Sequence, residues 1–161
     1  MAGRRTTIEE LLAAARAQLE RLGPREAWDA VRGGAVIVDI RSEVQRERDG
    51  VIPGALFHPR NVLEWRADPA SPHRDPALAG DPARRVIVIC DESYQSSLAA
   101  ATLQDLGLAR ATDVVGGFRA WRAAGLPVGA APVAGDPIDA DDGLGSSPHQ
   151  EGWQSGRMRR S

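Results

Sequence analysis

The chain has 161 residues, of which 42% are hydrophobic and 26% charged, with a formal net charge of −2. That length supports one domain with a packed core and is too short for two ordinary ones, so a single site is expected. No stretch approaches the roughly 20 apolar residues needed to span a bilayer, and all 20 basic residues are arginines balanced by 22 acidic ones, which argues against an integral membrane protein and against a nucleic-acid footprint.

Arg4 and Arg5 are followed by Glu9, Glu10, Arg16 and Glu20 where an export signal needs an apolar run, so export is not expected. Ile8, Leu11, Leu12, Ala15, Leu19 and Leu22 recur at helical spacing, and Thr6 with Glu9 or Thr7 with Glu10 can form a capping box at the start. An amphipathic helix is therefore expected within residues 1–23, ahead of the main domain. Gly23-Pro24 stops it, and Pro24 opens a second helix carrying Ala27, Trp28 and Val31 that ends at Gly33-Gly34.

Ala35-Val36-Ile37-Val38 and Val86-Ile87-Val88-Ile89 are short continuous β-branched runs, the pattern of strands buried on both faces of a parallel sheet. Residues 66–83 are proline-rich and hold few large apolar side chains, which predicts a long surface loop. Leu98, Ala99, Thr102, Leu103 and Leu106 make a helical stripe beginning near Ser96 or Ser97 and ending at Gly107. Thr112 to Val115 reads as a further strand, and Gly116-Gly117 leads into a helix through Ala120-Trp121 to Gly125. Strands alternating with helices give an α/β fold with a mostly parallel sheet. From Gly129 to the end the apolar periodicity is lost, so residues 129–161 are expected to be a disordered tail and residues 24–128 the domain.

The lone cysteine, Cys90, lies where the second β-branched run ends, and ligands of open α/β sheets bind beyond the carboxyl ends of strands. A helix starting shortly after it aims free N–H groups and a positive dipole end at the sulfur, a setting that favours the nucleophilic thiolate. The competing reading is a small buried core residue. One cysteine makes no internal disulfide, so a cytoplasmic location is expected.

The residues around Cys90 bear on that choice. Val38-Asp39-Ile40-Arg41 with Gly50-Val51-Ile52-Pro53-Gly54-Ala55, the loop Cys90-Asp91-Glu92-Ser93-Tyr94-Gln95-Ser96, and Val114-Val115-Gly116-Gly117-Phe118-Arg119-Ala120-Trp121 closed by Gly125-Leu126-Pro127-Val128 occur in this order. Together they resemble the rhodanese-like family of single-domain sulfurtransferases. The resemblance implies a three-layer α/β fold and a Cys90 that carries sulfane sulfur as a persulfide from a small-molecule or protein donor to a thiol or other nucleophilic acceptor. It implies no metal or organic cofactor. It also implies a substrate-binding loop of Asp91, Glu92, Ser93, Tyr94, Gln95 and Ser96. The alternative within the same resemblance is a non-catalytic binding or regulatory module.

Family loops that use thiosulfate commonly carry basic residues where this chain has Asp91 and Gln95, so thiosulfate is expected to be a poor donor. Val51 stands where the family often has histidine. Phosphatases of related fold need an arginine six positions after the cysteine, where this chain has Ser96, so that activity is not expected.

Asp39, Arg41 and Arg60 are supporting candidates: Asp39 for the loop after the first strand, the two arginines for positive charge at the site's mouth. Trp65 and Tyr94 are candidate pocket walls, while Trp28 and Trp121 read as core. His58, His73 and His149 do not have the spacing of a metal site, and Asp139 to Gly143 is out of register for a calcium loop, so no metal is expected.

Overall fold

The computed structural model describes residues 3–132. His149, the 139–143 segment and the expected tail beyond residue 132 lie outside the described residues. The elements in chain order are α1 (Ile8–Ala17), α2 (Pro24–Arg32), β1 (Val36–Asp39), α3 (Glu43–Asp49), β2 (Leu56–Phe57), α4 (Leu63–Ala67), α5 (Pro76–Ala79), β3 (Val86–Ile89), α6 (Tyr94–Asp105), β4 (Thr112–Asp113) and α7 (Gly117–Ala123). The four strands form one parallel sheet in the order β2-β1-β3-β4. The protein therefore has the α/β architecture its sequence predicts.

The two β-branched runs occupy the centre, paired Val36 to Val86 through Asp39 to Ile89. Both faces of a central parallel strand are covered, which is why these runs are apolar throughout. Alternation then sorts the side chains. Val86, Val88 and Cys90 pack with Leu63, Leu78, Ala99 and Leu103 on the face covered by α4, α5 and α6. Ile87 and Ile89 pack with Ala27, Phe118 and Trp121 on the face covered by α2 and α7. Trp28 meets Trp121 edge to face at 5.9 Å, and the Trp121 indole N–H donates to the Pro127 carbonyl at 2.9 Å.

At the amino end, Thr7 and Glu10 form the capping box of α1, the second of the two pairings the sequence allows. The helix packs on α6, and Leu22 then runs beside Val114, extending the sheet past β4. Its N–H donates to the Asp113 carbonyl at 3.1 Å and its carbonyl accepts from Val115 at 2.8 Å. Val114 and Val115 thus pair with this segment, and β4 proper is two residues long.

The expected loop over 66–83 is more structured than its composition suggests. Pro76–Ala79 forms α5, with Pro76 at its first turn and Asp75 accepting the Ala77 N–H, and Leu78 and Ala79 are buried. A single turn is too short to show periodicity, and its proline and Asp75 cap read as loop chemistry. At the other end, Gly129 exchanges both backbone hydrogen bonds with Val51 at 2.8 Å. Among the described residues no helix is long and apolar enough to cross a membrane.

Candidate active site

Cys90 leaves the carboxyl end of β3 with 6% of its surface exposed. Its Sγ accepts the backbone N–H of Ser93 at 3.2 Å and of Ser96 at 3.4 Å. Helix α6 begins at Tyr94, two residues earlier than its apolar stripe implies, because Ser93 adopts a left-handed conformation at φ 77° and turns the chain sharply. That turn aims the Ser93 N–H back at the sulfur. Ser96 is the third residue of the helix, so its N–H belongs to the first turn and has no intrahelical acceptor. Two N–H groups and the positive end of a 12-residue helix therefore converge on one sulfur.

The loop is braced from behind by α7. The N–H groups of Phe118 and Arg119 donate to the carbonyls of Cys90 and Asp91 at 2.8 and 3.2 Å. This contact explains Gly117: at φ +64° a Cβ there would lie 2.6 Å from both carbonyl oxygens. Beneath the loop, the hydroxyls of Ser96 and Ser97 donate to the buried Asp113 carboxylate at 2.8 and 2.7 Å, and Arg21 binds the same carboxylate in a fork.

The sulfur opens onto a cleft of about 600 Å³ lined by Ile40, Ser42, Gln45, Pro59, Arg60 and Asn61 on one side and by Asp91, Glu92, Tyr94 and Gln95 on the other. Ser42 and Gln45, which cap α3, were not among the sequence candidates; the strand-end rule that singled out Cys90 applies equally to the loop after β1. The acidic pair does not stand alone. Arg119 holds Asp91 through Nε at 2.9 Å and lies 3.5 Å from Glu92. Both carboxylates in turn push the Arg119 guanidinium further toward its charged form.

Of the supporting candidates, Arg60 lines the cleft and is paired with Glu64 at 2.5 Å. Arg41 does not reach the mouth of the site. It is 2% exposed, with its guanidinium on the Asp39 carboxylate at 2.8 Å, on the Gly50 carbonyl at 2.8 Å and over the Phe118 ring at 3.7 Å. The cause is Asp39, fully buried at the end of β1, which draws Arg41 inward and takes a further hydrogen bond from Arg46 at 3.2 Å. Tyr94 walls the cleft as expected, while Trp65 is not part of its lining. His58 hydrogen bonds Asp75 at 2.7 Å, and no cluster of metal-ligating side chains forms among the described residues.

Comparison with known proteins agrees with this architecture. A model of the rhodanese-like domain matches residues 23–124. The chain is similar to the thiosulfate sulfurtransferase GlpE of Haemophilus influenzae, with 28% identity over 113 residues that make up 68% of this chain and 93% of that one. GlpE of Actinobacillus pleuropneumoniae is 29% identical, covering 66% and 90% of the two chains. Among solved structures, a Rhodopseudomonas palustris protein of unknown function, described as a possible tyrosine phosphatase, superposes with a TM-score of 0.71 at 37% identity, covering 80% of this chain and 98% of that one. The polysulfide-sulfur transferase homodimer of Wolinella succinogenes shares the fold, with a TM-score of 0.58 at 24% identity, covering 77% and 88%.

Proposed function

The chain belongs to the rhodanese-like domain family, and on that premise we propose that it is a sulfurtransferase that carries sulfane sulfur on Cys90. The observation that supports this most directly is the pair of N–H donors, from Ser93 and Ser96, converging on Cys90 Sγ at the start of α6. Such a cradle stabilises the thiolate, which is the nucleophile when sulfur is taken up and the leaving group when it is passed on.

In the first half of the reaction the Cys90 thiolate attacks the sulfane sulfur of a donor. A new sulfur–sulfur bond forms, and the donor's bond to that sulfur breaks with its electron pair leaving on the rest of the donor. In the second half a thiol or other nucleophilic acceptor attacks the outer sulfur, and Cys90 departs as the thiolate it began as. No net electrons are gained or lost by the protein, so the residues present are sufficient for the cycle.

The acidic pair beside the sulfur favours a neutral or singly charged donor, small molecule or protein, over a dianion such as thiosulfate. Arg119 moderates this preference by pairing with Asp91 and Glu92. A phosphatase role finds no support at position 96: the site needs a cation there for phosphoryl oxygens, and Ser96 instead donates its hydroxyl to Asp113. A reduced compartment, the cytoplasm, suits a lone thiol that must stay unoxidised between turnovers.

Intact-protein mass after exposure to thiosulfate, polysulfide and a small-molecule persulfide tests the proposal. The parent is expected to gain one sulfur with at least one donor, and Cys90→Ser is expected to gain none. A parent that takes up no sulfur from any of them, or a Cys90→Ser variant that takes it up equally, overturns the reading.

A further inference from the structure

Beyond the family's own machinery, and resting on the reading of Cys90 as the sulfur carrier, we infer that Arg16 is a positioning residue that holds the cysteine loop in its sulfur-binding shape. Arg16 lies on α1, before the segment that matches the rhodanese-like domain begins at residue 23. Its side chain crosses to the loop. Nε donates to Ser97 Oγ at 3.0 Å, Nη2 donates to the Ser93 carbonyl at 3.0 Å, and the guanidinium sits 5.7 Å from the centre of the Tyr94 ring.

Ser93 is the reason this matters. Among the described residues it alone has a positive φ without being glycine, and its N–H is the nearer of the two donors to Cys90 Sγ. A serine stays left-handed only where its surroundings fix it. Two groups lie within reach of the Ser93 carbonyl: the Ser97 hydroxyl at 2.9 Å and Arg16. The Ser97 hydroxyl has one proton, and the Asp113 carboxylate at 2.7 Å is the stronger claimant for it. Arg16 is thus the donor that remains for the Ser93 carbonyl, and its second donor, Nε, fixes the oxygen of Ser97 at the same time. The Gly116 N–H holds the Ser93 hydroxyl at 3.3 Å from the other side, so without the Arg16 bridge Ser93 keeps one anchor but loses the one on its carbonyl, and the left-handed turn that aims its N–H at the sulfur is less firmly fixed.

Alkylation of Cys90 by iodoacetamide across a pH range reads this directly and needs no sulfur donor. In Arg16→Ala the rate profile is expected to move to higher pH, with the neutral-pH rate falling about fivefold relative to its alkaline plateau, the size of effect one lost hydrogen bond produces. Taking the ratio to the plateau removes any change in reagent access. Gln18→Ala is the control, because Gln18 ties α1 to Ala101 and Gln104 of α6 away from the loop, and its profile is expected to match the parent. Arg16→Gln provides the same comparison with a side chain of intermediate length should the alanine variant fail to fold. Arg16→Lys keeps the charge but not the two-pronged reach, so its profile is expected to stay near that of alanine. A parent-like profile in Arg16→Ala, an equal shift in Gln18→Ala, or full restoration by lysine each overturns the inference. A shifted Arg16→Ala profile in a protein that accepts no sulfur supports the positioning role and rejects the sulfurtransferase reading separately.

Discussion

Asp91 and Glu92 follow the cysteine directly, and their charge reaches the sulfur only after Arg119 has taken its share. Two unit charges that came within about 6 Å of each other would interact by roughly 0.7 to 3 kcal/mol between bulk and surface dielectrics, so an unpaired carboxylate in the cleft would slow a dianion approaching that closely. Pairing with a guanidinium 28 positions away in sequence removes part of that penalty, and nothing in the local sequence announces the pairing. Gln95 is different: it lines the cleft and carries no charge. Gln95→Arg is therefore expected to raise thiosulfate turnover about two- to tenfold while leaving a neutral persulfide donor nearly unaffected, with the gain shrinking as salt is added. Steady-state rates with both donors across ionic strength check this, and an equal gain for both donors would show that side-chain charge does not set donor choice. At this scale Cys90 was legible from its place at the end of a β-branched run. Arg41, expected to bring positive charge to the site's mouth, is buried on Asp39 instead, because the pull of a buried carboxylate is invisible until the fold buries it.

Elements were legible in proportion to their length and burial. The two central strands and α2, α6 and α7 each carry an apolar signature, whereas α3 buries no residue and β2 has only two, so neither offers a stripe or an alternation to read. The single turn of α5 depends on Asp75. Burial pushes that carboxyl up, but the hydrogen bonds from His58 and from the Ala77 N–H outweigh it and hold the group below the usual carboxylate range. A depressed carboxyl stabilises the fold fully above its unfolded value, about 3.9, and loses that contribution as pH falls through the lower folded value. Asp75→Ala is accordingly expected to cost about 1 to 2 kcal/mol at neutral pH, with the gap to the parent narrowing in acid. Urea unfolding of both proteins at neutral and acid pH measures it, and a gap that is constant with pH rejects the ionised role. The junction of α7 with the cysteine loop makes a sharper demand. Gly117→Ala places a Cβ against two carbonyl oxygens at a left-handed φ, and is expected to cost about 2 to 3 kcal/mol. The same substitution at Gly125, which is also left-handed but has open space around it, is the comparison; equal losses at the two sites would mean that close approach to the loop adds nothing.

For the molecule as a whole, the matched domain begins at residue 23, yet the sheet and the site both lean on residues before it. Leu22 covers the β4 edge, the Thr112 hydroxyl donates to the Glu20 carbonyl at 2.7 Å, and Arg21 supplies the cation for Asp113. The sequence shows an amphipathic helix here, and an amphipathic helix can pack on its own domain or on a partner; periodicity does not distinguish the two. The carboxylate that decides the matter stands 92 positions away from Arg21 and is fully buried. A buried carboxylate left with hydroxyl donors alone keeps its desolvation cost and loses its counter-charge. Arg21→Ala is therefore expected to destabilise the protein by about 2 to 4 kcal/mol, discounted from the usual cost of breaking a buried pair because Arg21 itself is partly exposed. Because Asp113 also accepts from Ser96 and Ser97, the loss should extend to the cysteine loop, so Arg21→Ala is expected to speed proteolytic nicking near Ser93 as well as to lower the urea midpoint. Changing Asp113 to asparagine in the same background removes the orphaned charge and is expected to recover part of the loss. A midpoint for Arg21→Ala equal to the parent's, or a double variant less stable than the single one, would mean that the two serine hydroxyls suffice for Asp113 and that the segment before residue 23 is not part of the folding unit.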